Sequence, residues 1–540
     1  MNMDRRNSEN RAPIFEDIFE LIGHIGTTQV CMYLIACVIE VAVSLSVLFY
    51  SLEYANPGWT CLEVSNSSDT LITQNGTGNE TGIWTSGNLT ENVCPLTNSS
   101  CVNLTYSDEY TSISTEWNLI CDRRYIGRLT ASLYFVGVLL GACISGQLSD
   151  TFGRKKTILM MWTSLIISQT CTGVVPDWEF YLPLRILAGV FAGGCSTVAL
   201  ILPMEYLGPK YRILTSNRIG WQIGGMLVAL IGYLTRSWRK TALAAGLLTL
   251  PFVPLFHFFI PESARWLIQK GRVEEAKLWI KRIAKYNRRP PPDLSVLDKI
   301  AEAEDARMHM QERYTYLDLF RTKKYAVRSL VLMLGWFDVS ILAYGIGADM
   351  EMLTGNIYFN MAITSVLMIS LRWTVIPIAN RIGRRKTYLL SKIGVMVCLL
   401  VVMILAIMDH ERFGTVITGM VLTSFVCQAG VWCMVFIYPS EAYPTLLRTR
   451  ATALGNMSAR MAGIVAPQVG LLSQYHTSGP YVLYLVIAFV TLILFYGIMP
   501  ETNGKPLPED LPPHGGKKPD QNGATQSEEV EMLRVDSREP

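Results

Sequence analysis

Long apolar runs constrain the fold of this chain more than any other feature. Stretches of about 20 residues recur through its 540 residues, each long enough to cross about 30 Å of hydrocarbon as a helix. Helices are expected because lipid offers the backbone no hydrogen-bonding partner, and the ten-residue alternation of a membrane barrel is missing from the sequence. The predicted spans are 28–50, 129–149, 157–175, 181–203, 215–235, 241–260, 327–347, 357–380, 388–408, 415–437, 451–474 and 480–499.

Composition supports a membrane protein and disfavours several other classes. Half of the residues are hydrophobic, 17% are charged, and the mean hydropathy is +0.27. A net charge of +3 without a Lys/Arg-rich block offers no face for nucleic acid. The sequence contains neither a Gly-x4-Gly-Lys-Ser/Thr phosphate loop nor a His-Glu-x2-His metal helix. We therefore expect no enzyme activity, no ATP-driven pumping, no metal site and no cofactor.

The stretch 51–126, between the first two spans, has the features of an oxidising, extracytoplasmic environment. It holds nine acidic residues against two cations, Arg123 and Arg124. Six Asn-x-Ser/Thr sites predict glycosylation, and they are Asn66, Asn75, Asn79, Asn88, Asn98 and Asn103. Four cysteines predict two disulfides of open connectivity, and they are Cys61, Cys94, Cys101 and Cys121.

The opposite ends of the spans are basic. Their cations are Arg154, Lys155, Lys156, Lys210, Arg212, Arg381, Arg384, Arg385, Lys386, Arg448 and Arg450. By the positive-inside rule these ends are cytoplasmic, so both termini lie inside a multi-pass plasma-membrane protein and the 51–126 loop lies outside. The predicted divisions are an N-terminus (1–27), a six-helix bundle (28–260), a cytoplasmic linker with short helices (261–326), a second bundle (327–500) and a disordered tail (501–540).

Three motifs occur twice, at corresponding ends of corresponding spans. The pairs are Gly146–Thr157 with Asn380–Thr387, Pro203–Arg212 with Pro439–Arg448, and Ile260–Ser263 with Met499–Thr502. Six spans repeated in parallel and joined by a long linker predict an all-α membrane fold of two pseudo-symmetric six-helix bundles. Transport by alternating access is the function that this organisation indicates most strongly.

The first repeated motif suits a turn that holds charges at the membrane surface. Gly153 supplies the backbone freedom of a tight reversal, and Asp150 can pair with nearby cations or with a helix terminus of the facing bundle. A static turn with basic anchors is the alternative, and it is stronger for the second copy, where Asn380 replaces the acid. The candidate gating residues are Asp150, Gly153, Arg154, Glu205, Arg212, Gly383, Arg384, Glu441 and Arg448.

The motif Gly146-x-Leu-x-Asp-x-x-Gly-Arg-Lys155 resembles the signature loop of the major facilitator superfamily. Three further motifs resemble the organic ion transporter family within it, which handles organic cations, anions and zwitterions. They are Ser114–Asp122, Pro261–Trp266 and Tyr438–Pro444. The resemblance covers about residues 15–510 and implies twelve spans and a small organic ion as the substrate.

Ionisable residues inside the spans are the candidate substrate-binding groups, because charge within lipid needs a wet cavity or a partner. Arg460 is ten residues past Arg450, or about 15 Å along a helix, and Arg372 lies at a similar depth before Gly383. Two guanidinium groups in one cavity would attract carboxylates. The resemblance implies the same pair, since organic anion members place cations at these two positions. Either arginine could instead be the structural partner of a buried acid.

Four other residue types bear on the substrate. Glu40 and Asp338 could pair with the arginines or bind the ammonium group of a zwitterion. Tyr344 resembles the second of two adjacent cavity tyrosines in anion members, where this chain has Ala343 first. Trp221 and Trp373 could line the cavity as well.

The leading hypothesis is secondary transport of small organic anions or zwitterions. Within the class, an organic cation or carnitine-like transporter is the alternative, and outside it a non-transporting receptor on the same fold. The partners expected are the organic ion, membrane lipid and a possible coupling or exchange ion, with no nucleic acid.

Overall fold

Twelve helical spans form the body of the protein within the part of the chain that the structure describes. This computed structural model describes residues 18–504 except 56–57, 65–86, 92–100, 108, 121–122, 209–218, 291, 311–314 and 410–411. The first six are α1 (Thr27–Leu48), α2 (Arg124–Phe152), α3 (Arg154–Thr172), α4 (Trp178–Tyr206), α5 (Gly220–Thr235) and α6 (Trp238–Leu247, continued by Phe252–Phe259). The second six are α7 (Lys323–Ala348), α8 (Ile357–Ile382), α9 (Arg384–Asp409), α10 (Gly414–Ala442), α11 (Thr445–Val469) and α12 (Gly479–Ile498).

Nine of these spans, among the described residues, are long and apolar enough to cross a membrane. The other three are α5, which is apolar but has 16 residues, and the more polar α3 and α11. All twelve predicted spans correspond to one of these helices. The main departure is α11, which begins at Thr445, six residues before the predicted start.

Close backbone packing holds α2 against α4 in the first bundle. A Cβ atom added to Gly137 or Gly141 would collide with the α4 backbone around Val190. One added to Gly189 or Gly193 would collide with the α2 backbone. Small residues at such a crossing let two helices approach closely, which is the main route to tight association inside lipid.

The two bundles meet chiefly along α2–α11 and α5–α8. We call the end of the bundles that carries the 51–126 loop the loop end, and the end that carries the Gly153 and Gly383 turns the motif end. At the loop end, the Tyr50 hydroxyl donates to the Tyr344 carbonyl oxygen at 2.9 Å, and the Ser51 hydroxyl donates to the Gly347 carbonyl oxygen at 2.6 Å. The bundles are therefore in polar contact at the loop end.

The loop itself adds strands to the predicted all-helical architecture. Strands β1 (Trp59–Val64), β2 (Gly87–Glu91) and β3 (Cys101–Tyr106) form an antiparallel sheet in the order β2-β1-β3. Asn88 and Cys61 fall on strands whose side chains lie outside the description, as do Asn103 and Cys101. The remaining predicted sites lie outside the described residues altogether, and they are Asn66, Asn75, Asn79, Asn98, Cys94 and Cys121. Glycosylation and the two disulfides stay predictions.

The linker forms helices at Ala264–Gln269, Val273–Tyr286 and Ser295–Met310. The second of these is amphipathic, because Ala276, Ile280 and Ile283 are spaced to share one buried face. The linker also holds the start of α1, since the Asn287 side chain accepts from the Thr28 backbone N–H and donates to Ile22.

Candidate functional site

A cavity of about 230 Å³ lies between the two bundles, bounded by residues of α1, α4, α5, α7, α8, α10 and α11. Its wall on the first bundle includes Glu40, Ser196 and Trp221. Its wall on the second includes Arg372 and Arg460. The predicted residues Arg460, Arg372, Tyr344, Trp221 and Glu40 therefore share one cavity.

Arg460 joins the two walls through weak contacts. Its Nη1 lies 3.5 Å from the Tyr344 hydroxyl of α7, and its Nη2 lies 3.4 Å from the Ser196 hydroxyl of α4. Its Nε is buried without a hydrogen-bond partner. No carboxylate among the described residues pairs with Arg460. A guanidinium offers five donors in a planar fork, so Arg460 keeps donor capacity toward the cavity.

Apolar and aromatic side chains supply the rest of the lining. The aromatic members are Trp221, Trp336, Tyr344, Phe425, Trp432 and Phe436. Three methionines, Met350, Met361 and Met368, add adaptable apolar surface. A few polar groups within a mostly apolar wall suit a small organic molecule with one or two charged groups.

Sequence reasoning missed several lining residues that helical periodicity could have found. Phe425, Ala429, Trp432 and Phe436 are spaced i, i+4, i+7 and i+11, so they form one stripe of α10. Asn456 of α11 also lines the cavity.

Trp373 is a correction to the predicted site. Its side chain is 48% exposed and does not line the cavity, whereas Arg372 does. Neighbouring residues on a helix are rotated by about 100°, and in α8 this rotation turns Trp373 away from the cavity that Arg372 lines. Trp373 points away from the passage.

Asp338 is a second correction. It is 2% exposed and forms an ion pair with Lys392 of α9, and the Thr491 hydroxyl of α12 donates to it at 2.9 Å. Both charged side chains lie in the core of the second bundle, off the cavity. Asp338 is therefore occupied by a structural partner, and Lys392, a lysine inside an apolar span, was the signal that sequence reasoning overlooked.

Arg185 has a comparable place in the first bundle. It pairs with Glu53 at 2.9 Å with both side chains fully buried, and its guanidinium lies 4.5 Å from the Tyr134 ring. Tyr181 also donates to Glu53. These contacts stay within one bundle and fix the segment that follows α1, which carries Glu53, against α4.

The first motif turn is a single residue, Gly153, with φ of 103°. After it, the Glu262 carboxylate accepts from the backbone N–H of Arg154 at 2.8 Å and of Lys155 at 3.0 Å, which caps the start of α3. Arg154 also pairs with Asp150 at 2.6 Å, the first of the two partners foreseen for that acid. The Arg154 Nε lies 3.6 Å from the Glu205 carboxylate.

The second motif turn repeats this arrangement. Gly383 has φ of 100°, and Glu501 accepts from the backbone N–H of Arg384 at 2.8 Å. Burial opposes the charge of Glu501, but backbone N–H donors hold the pKa of this carboxyl below its usual value. Arg384 pairs with Glu441 at 3.2 Å and donates to Asn380 at 2.7 Å.

Two other gating candidates are less informative. The Arg448 Nε donates to the Tyr443 carbonyl oxygen at 3.0 Å, a local contact at the start of α11. Arg212 lies outside the described residues. In this conformation none of the contacts described for the two motif turns reaches the facing bundle.

Comparison with known proteins gives the family. Residues 96–510 match the model of the sugar (and other) transporter family. Solute carrier family 22 member 7 of Rattus norvegicus is 31% identical over 409 residues, which is 75% of each chain. Member 4 of Mus musculus is 32% identical over 411 residues, covering 74% of this chain and 72% of the relative. This chain belongs to solute carrier family 22. It is a multi-pass membrane transporter of the major facilitator superfamily, in the organic ion transporter family.

Solved structures agree on the fold of this solute carrier. The proton:xylose symporter XylE bound to 6-bromo-6-deoxy-D-glucose matches with a TM-score of 0.59 at 15% identity, over 88% of this chain and 98% of that one. XylE from E. coli in an inward open conformation matches with a TM-score of 0.60. At this identity the match establishes the two-bundle fold alone.

Proposed function

We propose that this solute carrier moves small organic anions or zwitterions that carry a carboxylate across the plasma membrane. The observation that carries the proposal is the Arg460 guanidinium, which faces a cavity between the bundles without a carboxylate partner among the described residues.

A charge inside the membrane is costly unless it meets water or an opposite charge. An unneutralised guanidinium in a narrow, mostly apolar cavity gains most from an anion, because low-dielectric surroundings strengthen the attraction. A carboxylate can accept two hydrogen bonds from the guanidinium fork. The present contacts to Tyr344 and Ser196, at 3.5 and 3.4 Å, are long enough to be exchanged for stronger ones.

Two further residues refine the substrate class. Arg372 lies on the same bundle wall as Arg460 and adds positive charge. Glu40 lies on the opposite wall and would suit an ammonium group, which favours including zwitterions. Glu40 also supports the alternative of an organic cation, and one relative, from Drosophila melanogaster and 29% identical, is named organic cation transporter protein.

The direction of access follows from the predicted topology. With the 51–126 loop outside and both termini in the cytoplasm, the contacts at the loop end seal the outer side of the passage. The motif turns then work at the cytoplasmic side, where their ion pairs exchange partners as the bundles rock. A second ion can be coupled or exchanged in the same cycle.

Uptake by expressing cells tests the substrate class. Cells receive, in parallel, a small aromatic carboxylate, a quaternary ammonium and a betaine. We expect uptake of the carboxylate or the betaine. In Arg460→Ala, that uptake at low substrate concentration should fall about ten- to hundredfold, the range for losing hydrogen bonds to a charged group.

The control variant is Arg272→Ala, which removes an arginine from the exposed linker, where it pairs with Glu275. Surface labelling corrects each rate for the amount of transporter at the membrane. Ammonium-only uptake that Arg460→Ala leaves unaltered would reject the anion assignment. Full carboxylate uptake in the same variant would reject Arg460 as the binding residue.

A further inference from the structure

Arg128, near the start of α2, joins the two bundles at the loop end. Its Nη2 lies 2.9 Å from the Asp349 carboxylate, which directly follows α7, and its Nη1 donates to the Pro467 carbonyl oxygen of α11 at 2.7 Å. The two side chains are only 9% and 13% exposed. One turn further along α2, the Ser132 hydroxyl accepts from the Gln468 side chain at 2.9 Å.

Arg128 differs from the other buried cations in which elements it connects. Arg185 with Glu53 and Lys392 with Asp338 each join helices of one bundle, so alternating access leaves them intact. The pair of Arg128 with Asp349 joins α2 to α7 across the passage, and these helices must separate at this end for the cavity to open there.

The energetics suit a reversible contact. When the bundles part at the loop end, water reaches both charges, so neither is left buried and unpaired. When they close, the pair is dehydrated again and gains from its two charge-assisted hydrogen bonds. A buried pair within one bundle has no such hydrated alternative.

Gly470, which directly follows α11, packs closely against Arg128 and Asp349. A Cβ atom at this position would overlap both the Arg128 guanidinium and the Asp349 carboxylate. Any side chain there would displace the pair without removing either charge.

The helices that Arg128 holds also carry the cavity residues. Asp349 follows Tyr344 by five residues, and Pro467 follows Arg460 by seven, or about 10 Å along α11. The contact therefore closes the passage about two helical turns from the site, toward the loop end.

We propose that Arg128, Asp349 and the Pro467 carbonyl form the loop-side gate of this transporter, a polar latch that closes the passage and must break each time the cavity opens toward the loop. Arg128 and Asp349 are positioning residues that set the balance between the two access states. They do not contact the substrate.

A cysteine reporter tests the latch without any substrate. Ser132→Cys places a thiol beside the latch, where the parent side chain is 6% exposed. A membrane-impermeant thiol reagent is applied to intact cells, and the unsubstituted transporter gives the background from native cysteines. Adding Asp349→Asn should raise the labelling rate of the reporter about tenfold or more, since the charge pair is lost. Adding Gly470→Ala, which leaves both charges in place, should raise it in the same direction.

The matched control is Glu116→Gln, because Glu116 pairs with Arg239 at the loop end but within the first bundle. It should leave the reporter protected. The exchange Arg128→Asp with Asp349→Arg should restore part of the protection that Asp349→Asn removes. Labelling that stays at the parent rate in both Asp349→Asn and Gly470→Ala, once corrected for surface amount, would overturn the proposal. So would an equal rise in Glu116→Gln.

Discussion

The two bundles fill equivalent core positions with different chemistry. In the first, Trp162 of α3 donates to the Thr249 hydroxyl at 3.3 Å. Lys392 of α9 lies 230 residues later, the same separation as Gly153 and Gly383, and it pairs with Asp338, which Thr491 also contacts. A neutral indole contact in one half thus corresponds to a dehydrated ion pair in the other.

This difference separates charged residues that are paired within one bundle from charged residues that line the cavity between the bundles. The second bundle carries a charged core and, in addition, the two cavity arginines Arg372 and Arg460. Its core pair is complete within the bundle, whereas Arg460 faces the other half across the passage. The charges paired inside one bundle have structural partners, whereas Arg460, at the interface, can contact a substrate.

The largest expected effect comes from breaking the core pair. Lys392→Met leaves the Asp338 carboxylate buried without its cation, which should cost about 3–5 kcal/mol of unfolding free energy. The double variant Lys392→Met with Asp338→Leu removes both charges and should recover most of that loss. Thermal unfolding of the purified transporter in detergent measures each effect.

Trp162→Phe is the comparison from the first bundle. It removes one neutral hydrogen bond and part of a fully buried indole, and it should cost about 1–3 kcal/mol, less than Lys392→Met. If the double variant is as unstable as Lys392→Met alone, the loss of stability comes from the missing packing of the two side chains and not from the unpaired charge.

A smaller effect tests whether the two motif turns are equivalent. Gly153→Ala and Gly383→Ala each place a Cβ at φ near 100°, against the Glu262 and Glu501 carboxylates respectively. Each should lower stability by about 1–3 kcal/mol, and by similar amounts in the two halves. Unfolding temperatures of both variants provide the measurement.

Gly146→Ala serves as the control for the first turn, because a Cβ there meets no atom within 4 Å. If only one of the two variants, Gly153→Ala or Gly383→Ala, is destabilised, the glycine is repeated in sequence but does not contribute equally to the stability of the two halves.

The fold was predictable because its signals are local. Apolar length fixed the twelve spans, and the repeated Gly-Arg turns placed six in each half. Depth along a helix located Arg372 and Arg460. The sequence could not show partners that are distant in the chain, such as Lys392 for Asp338 or Asp349 for Arg128, because docking decides them. The prediction that Trp373 lines the cavity was wrong for a different reason. Depth along a helix does not say which face a residue lies on, and neighbouring residues are rotated by about 100°.

The smallest expected effect compares two tryptophans, one from each bundle. Trp221 of α5 lines the cavity, and Trp373 of α8 is 48% exposed away from it. Trp221→Ala should lower uptake of the preferred substrate several-fold through lost apolar contact worth about 1 kcal/mol. Trp373→Ala should change uptake less than twofold, because the substrate does not reach it. Initial rates corrected for surface amount make the comparison. A larger loss in Trp373→Ala would mean that α8 turns during transport and presents a second face to the passage. The charged wall of the second bundle would then not be a fixed surface.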